Sequence, residues 1–84
     1  MRTTQRAAIV VGSNPAAVAV NRRTNTIYTA NFGANTVSVI NGATNTVTAK
    51  VPVGNFPHGV AVNIQTGLIY VTNAADNTVS VITP

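Results

Sequence analysis

Short apolar–polar alternations recur along the whole chain, each closed by a polar cluster rich in asparagine. Val18-Ala19-Val20 runs into Asn21-Arg22-Arg23-Thr24-Asn25, and Thr26-Ile27-Tyr28-Thr29-Ala30 runs into Asn31-Phe32-Gly33-Ala34-Asn35. Thr36-Val37-Ser38-Val39-Ile40 reaches Asn41-Gly42, a strong hairpin signal, and Thr46–Val51 reaches Pro52-Val53-Gly54. Period-two alternation with β-branched residues predicts strands, and no segment carries a helical period of 3.6. Val18 and Val20 share one side of their strand with Ala19 opposite, and Val37 and Val39 share one side with Ser38 opposite. Large-against-small faces suit sheets that stack face to face and taper toward an axis. A sheet with one solvated face would carry Lys or Glu there. This chain has no Glu and one Lys, which predicts that both faces are covered.

The pattern repeats. Shifting the chain by 42 residues aligns 11–42 with 53–84 and makes 17 of 32 positions identical, in blocks such as Val18–Asn21 on Val60–Asn63 and Asn35–Ile40 on Asn77–Ile82. A fixed period of this size marks a repeat architecture, and four strands in about 40–45 residues match one blade of a β-propeller. The first ten residues hold the same register: Thr4 falls on Thr46, Ala7 on Ala49 and Ile9 on Val51. The expected organisation is a single all-β propeller region over 1–84. Residues 1–10 form the outer strand of a preceding blade, 11–53 a first blade, and 54–84 a second blade lacking its outer strand.

The stretch Pro57-His58-Gly59-Val60-Ala61-Val62-Asn63, then Thr66–Asn73 with Tyr70-Val71-Thr72-Asn73, then Asp76–Ile82, resembles the YVTN-family β-propeller repeat. Asn41–Val47 followed by Val51-Pro52-Val53-Gly54 is similar to that repeat's closing half. The resemblance covers nearly all of 11–84. It implies extracytoplasmic or surface-layer proteins of bacteria and archaea, usually of seven blades, that serve as binding or adhesion modules and share no catalytic residues. Related propellers include lactonases and cofactor-dependent oxidoreductases, so a piece of such an enzyme is the alternative. Position 5 is Gln where Val47 stands, and position 8 is Ala where Lys50 stands.

Two blades cannot close a ring, since propellers have typically four to eight. A blade face of roughly 20 by 19 Å leaves roughly 400 Å² bare at each end, as large as the largest patch of a typical soluble monomer. Two ways of covering it are expected. In one, the chain associates head to tail with itself, the strand Thr3–Val11 of one copy completing the blade of Thr78–Ile82 in the next. Three copies then give six blades and four give eight. In the other, the missing blades belong to a longer chain.

Composition narrows the chemistry. The net charge of +4 comes from Arg2, Arg6, Arg22, Arg23 and Lys50 against Asp76. These cations are scattered and no aromatics interleave with them, which argues against nucleic acid. Arg22-Arg23 reads as a solvated turn. A charged fraction of 7% with much Thr, Asn and Ser fits an exported or surface protein. No segment is a membrane span. The apolar run Ala7–Val11 is too short for a signal peptide and aligns with a strand. There is no cysteine, one histidine and one aspartate. No catalytic motif, phosphate loop, metal-ligand spacing or cofactor signature is present.

In a propeller, the loop entering the first strand of a blade and the loop joining its second and third strands share one rim of the channel. That places His58, Phe56 and Asp76 at the rim as candidate ligand-binding residues. In a ring, several copies of His58 could converge on one ion. The plainer reading gives His58 a backbone partner and makes Asp76 the cap of its own turn. Phe32 and Phe56 are expected to anchor loops on a neighbouring blade. The repeated pairs Asn21/Asn63, Asn31/Asn73 and Asn35/Asn77 read as turn residues, and Tyr28 and Tyr70 as blade-packing residues whose hydroxyls need partners.

Overall fold

The structure is a computed structural model and describes residues 3–84. Seven strands form two antiparallel sheets. The first has the order β1 (Pro15–Asn21), β2 (Thr26–Asn31), β3 (Thr36–Asn41), β4 (Thr46–Pro52); the second has β5 (Pro57–Val62), β6 (Ile69–Asn73), β7 (Thr78–Ile82). No helix occurs among the described residues, so none is long and apolar enough to cross a membrane. The two sheets do not close on each other into a ring. The expected outer strand over 1–10 is not formed in the single chain. Thr3–Val11 carry no regular secondary structure and are mostly exposed, and Met1 and Arg2 lie outside the described residues. A strand needs a ladder partner, and Thr3–Val11 pair with none of the seven strands.

The turns explain the asparagines. Most hairpin loops here are four residues long and end on an asparagine with positive φ, Asn25 (55°), Asn35 (54°), Asn45 (57°) or Asn77 (55°), while the longer loop between β5 and β6 places Gly67 at 79°. Asn tolerates this left-handed backbone better than most side chains. The asparagine that opens a loop accepts the N–H two residues on: Arg23 N donates to Asn21 Oδ1 at 3.0 Å, Ala43 N to Asn41 Oδ1 at 2.8 Å, and Gln65 N to Asn63 Oδ1 at 3.0 Å. Asn41-Gly42 is therefore not the two-residue hairpin that the sequence suggests. Gly42 is needed because its N–H donates to Asn25 O at 2.8 Å, and a Cβ would overlap Asn25.

The sheets stack face to face, and the core lies between them. Tyr28, Ala30 and Val37 of the first sheet are buried against Ile69 and Val71 of the second, with Val39, Val60, Val62 and Ile82 at the margin. The pairing Val18–Thr29–Ser38 across β1, β2 and β3 places Val18 on the same face as Ser38, opposite Val37. Large side chains therefore alternate between faces from strand to strand. The expectation that both faces are covered holds only at the junction. Val18, Val20, Val79 and Val81 are exposed on the outer faces, because a third sheet is absent from either end.

Candidate functional site

The four loops over 12–17, 31–35, 54–59 and 73–77 are paired as the propeller reading predicts. Phe32 N donates to Asn14 O at 2.9 Å and Gly33 N to Ser13 O at 3.0 Å; one repeat later, Ala74 N donates to Phe56 O at 2.9 Å and Ala75 N to Asn55 O at 3.2 Å. Beneath each pair a strand-ending asparagine is buried. Asn31 Nδ2 donates to Thr36 Oγ1 at 3.1 Å and Ser38 Oγ at 2.9 Å, and its Oδ1 accepts from Thr29 Oγ1 at 3.1 Å. Asn73 Nδ2 donates to Thr78 Oγ1 at 3.2 Å and Ser80 Oγ at 2.8 Å, and its Oδ1 accepts the Gly54 N–H at 3.0 Å. Gly54 permits that approach, since a Cβ would lie 2.6 Å from Asn73 Cγ. Asn31 and Asn73 are thus network centres, not turn residues. The spacing Asn-x4-Thr-x-Ser, present in both repeats, is the sequence signal for it.

Asn55 joins the two sheets at the rim. Its Oδ1 accepts from Asn35 Nδ2 at 3.2 Å, while its own N and Nδ2 donate to Asp76 Oδ2 and Oδ1 at 2.9 and 3.1 Å. Asn35 Oδ1 also accepts the Phe56 N–H at 2.9 Å. The Asn55 N–H and then its side-chain amide hold the Asp76 carboxyl below its ordinary value of 3.8, because both donate to the charged form. Asp76 therefore clamps the loop of β5 instead of capping its own turn. Neither Asn55 nor the bridging role of Asn35 is marked by a recognisable motif in the sequence.

Phe56 stacks on Phe32 with centroids 4.8 Å apart and planes 13° from parallel, so the expected loop anchors contact each other across the sheet junction. Phe56 sits at φ 55° and is half exposed. Positive φ is an outlier for a bulky side chain, and the equivalent Asn14 adopts it at φ 52°. His58 is an exposed residue of β5, and no hydrogen bond joins it to Asp76. The paired loops 54–59 and 73–77 thus carry His58, Phe56 and Asp76, with Asp76 bonded to Asn55 and not to His58. With one His and one Asp, a single copy cannot supply three metal ligands of the His, Cys, Asp or Glu type.

A cavity lies away from these loops. A groove of about 520 Å³ is lined by Tyr28, Val39, Ala49, Val51, Ile69 and Ile82, among others, and by the turn residues Asn21 and Asn41. Of β7, the last strand of the second sheet, Ile82 lines it, followed by Thr83 and Pro84. Burial pushes the Tyr28 hydroxyl up from its ordinary value of 10.0.

Comparison with known proteins agrees with this architecture. The NHL repeat, a β-propeller repeat family, matches residues 55–82. Among solved structures, Kuenenia stuttgartiensis hydrazine synthase superposes with a TM-score of 0.80 at 24% identity, over 96% of this chain and 23% of that one. At that identity the likeness speaks for the fold alone. The comparison with curated proteins returns no match. The chain is a β-propeller-type repeat module of two antiparallel sheets, four strands and three, whose ring is not closed within the described residues.

Proposed function

We propose that this chain is a non-enzymatic propeller module of the YVTN type, acting as a binding or structural scaffold outside the cytoplasm. The observation that carries the reading is how the polar rim is used. Asp76, Asn55 and Asn35 spend their hydrogen bonds on one another and on backbone N–H groups, holding loops together across the sheet junction. A catalytic carboxylate needs to orient a base or meet a substrate, and Asp76 does neither toward His58. The finer YVTN assignment rests on the Tyr70–Asn73 and Asp76–Ile82 blocks, and the location on the low charge and Thr/Asn-rich surface. The hydrazine synthase likeness gives the enzyme alternative little weight, because it covers 23% of that protein.

The test is an activity and binding screen on the 84-residue chain and on His58→Ala. Lactone hydrolysis is expected at the buffer rate, and zinc, calcium and manganese are expected to leave the melting temperature unmoved. Turnover that disappears in His58→Ala overturns the non-enzymatic reading. Fractionation of the source cells is expected to find the protein outside the cytoplasm; a purely cytoplasmic distribution overturns the location.

A further inference from the structure

The contact between the two sheets is asymmetric, and each of its halves recurs uncovered at the opposite end of the molecule. At the junction, Tyr28, Val37 and Val39 on one side meet Val60, Val62 and Ile69 on the other. One repeat later, the first set becomes Tyr70, Val79 and Val81, which are 36%, 55% and 57% exposed. One repeat earlier, the second set becomes Val18, Val20 and Ile27, of which the valines are 68% and 52% exposed. Five of the seven large hydrophobics left exposed belong to these two sets. At these six positions they repeat the pairing that already packs inside the chain, while Ala30 and Val71 of the core become Thr72 and Thr29 on the outer faces.

The sheet edge tells the same story. β4 covers β3 with Val37 opposite Val51 and Val39 opposite Ala49. Carried forward by one repeat, that register sets Val79 opposite Ile9 and Val81 opposite Ala7, with Val10 opposite Thr78. Residues Thr3–Val11 hold this outer-strand phase, lack a partner, and include Val10, which is 90% exposed. Strand alternation then turns Ala8 into the groove beside Val39, Ala49 and Val51, where the equivalent Lys50 would have to bury its charge. Asn77 repeats the backbone of Asn35, which clamps Phe56 N and Asn55; the corresponding groups in a following repeat are the Asn14 N–H and the Ser13 side chain.

We propose that a second copy of this chain docks head to tail on the first. Its Val18/Val20 face stacks on Tyr70, Val79 and Val81, and its Thr3–Val11 segment pairs with β7 and fills the groove. Contacts of this heterologous kind form rings when the rotation closes, and three or four copies make six or eight blades. The inference stands apart from the scaffold reading, since it concerns assembly and not what the rim binds.

Light scattering behind size-exclusion chromatography, over a dilution series, tests it. The 84-residue chain is expected at three or four times its 8.6 kDa mass. Val18→Asp and Val81→Asp each block one half of the contact at an already exposed position, so each alone is expected to run as a folded monomer by circular dichroism. Mixed, they retain one good junction and are expected to form a dimer and nothing larger. Adding Ile9→Pro to the Val81→Asp chain, which supplies the inserted strand, is expected to abolish that dimer; adding it to the Val18→Asp chain is not. A wild-type monomer at every concentration, as expected if further repeats of a longer chain cover these faces, overturns the proposal. So does association that survives either aspartate, or a mixture that stays monomeric.

Discussion

The two sheets carry the same residues at equivalent positions and bury them differently. Tyr28 is 3% exposed and Tyr70 36%; Val37 is 0% exposed and Val79 55%. The order and register of the three strands they share are nonetheless the same: Tyr28 faces Val39 and Ala19, as Tyr70 faces Val81 and Ala61. Forming a blade is thus a local matter of alternation and asparagine turns. Burying it is a matter of which neighbour stacks on it, as expected of repeat proteins whose stability sums intrinsic and interface terms.

The sharpest way to break this comparison is to truncate the paired tyrosines in the Val81→Asp background, where association is blocked. Tyr28→Ala empties a buried site and is expected to cost about 3 kcal/mol in urea denaturation, in line with large-to-alanine changes in cores. Tyr70→Ala is expected to cost less than about 1 kcal/mol, as exposed positions do. Equal losses would mean that the sheets do not differ in burial as described.

The polar centres give a smaller contrast. Asn31→Ala removes three hydrogen bonds from a fully buried side chain and strands the hydroxyls of Thr29 and Ser38, for an expected loss of about 2–3 kcal/mol. Asn73→Ala acts in the sheet whose Thr78 and Ser80 are nearer water, and is expected to lose about 1–2 kcal/mol. If Asn73→Ala proved the worse of the two, its bond to the Gly54 N–H would be the dominant contact and not the buried hydroxyl pair.

Much of this fold is legible in the chain because blades are built from local signals. The alternation of Thr36–Ile40 and the asparagines at 21, 25, 35, 45 and 77 place strands and turns with no tertiary knowledge. The pairing of the loops of 54–59 and 73–77 also follows from the repeat. What escapes sequence reasoning is contact across elements. Asn31 and Asn73 look like turn formers until their amides are seen to reach hydroxyls five and seven residues on. Asn55 has no pattern around it, yet it joins two sheets. The alternation of large side chains between faces depends on register, which single strands do not reveal.

The aromatic pair at the rim separates packing from backbone strain. Phe56→Asn installs the residue found at the equivalent position 14, which relieves a left-handed backbone cost of roughly 1–2 kcal/mol and loses a stack of about 0.5–1.5 kcal/mol. The two nearly cancel, so the expected stability change is under about 1 kcal/mol. Phe32→Ala loses the stack and leaves Phe56 at φ 55°, so it should be the more destabilising. Equal losses would show that the stack, and not the strain, governs this loop.

The smallest effect belongs to Asp76, the one carboxylate side chain, which has no counterpart in the first sheet: position 34 is Ala. Its pKa is lowered in the folded state by the Asn55 backbone and side-chain donors. A depressed carboxylate contributes stability that is fully present above its unfolded pKa of about 4 and is lost as pH falls through the folded value. The melting temperature should therefore be flat from neutral pH to about 5 and then decline. Because the carboxylate is exposed, solvent screens the gain and the decline is shallow. Asp76→Asn keeps an acceptor for Asn55 but no charge that titrates, so its profile should stay flatter below pH 4 than the wild-type curve. A variant that falls as steeply as the wild type would assign the acid sensitivity to some group other than this clamp, and would leave the two rims energetically alike despite their different chemistry.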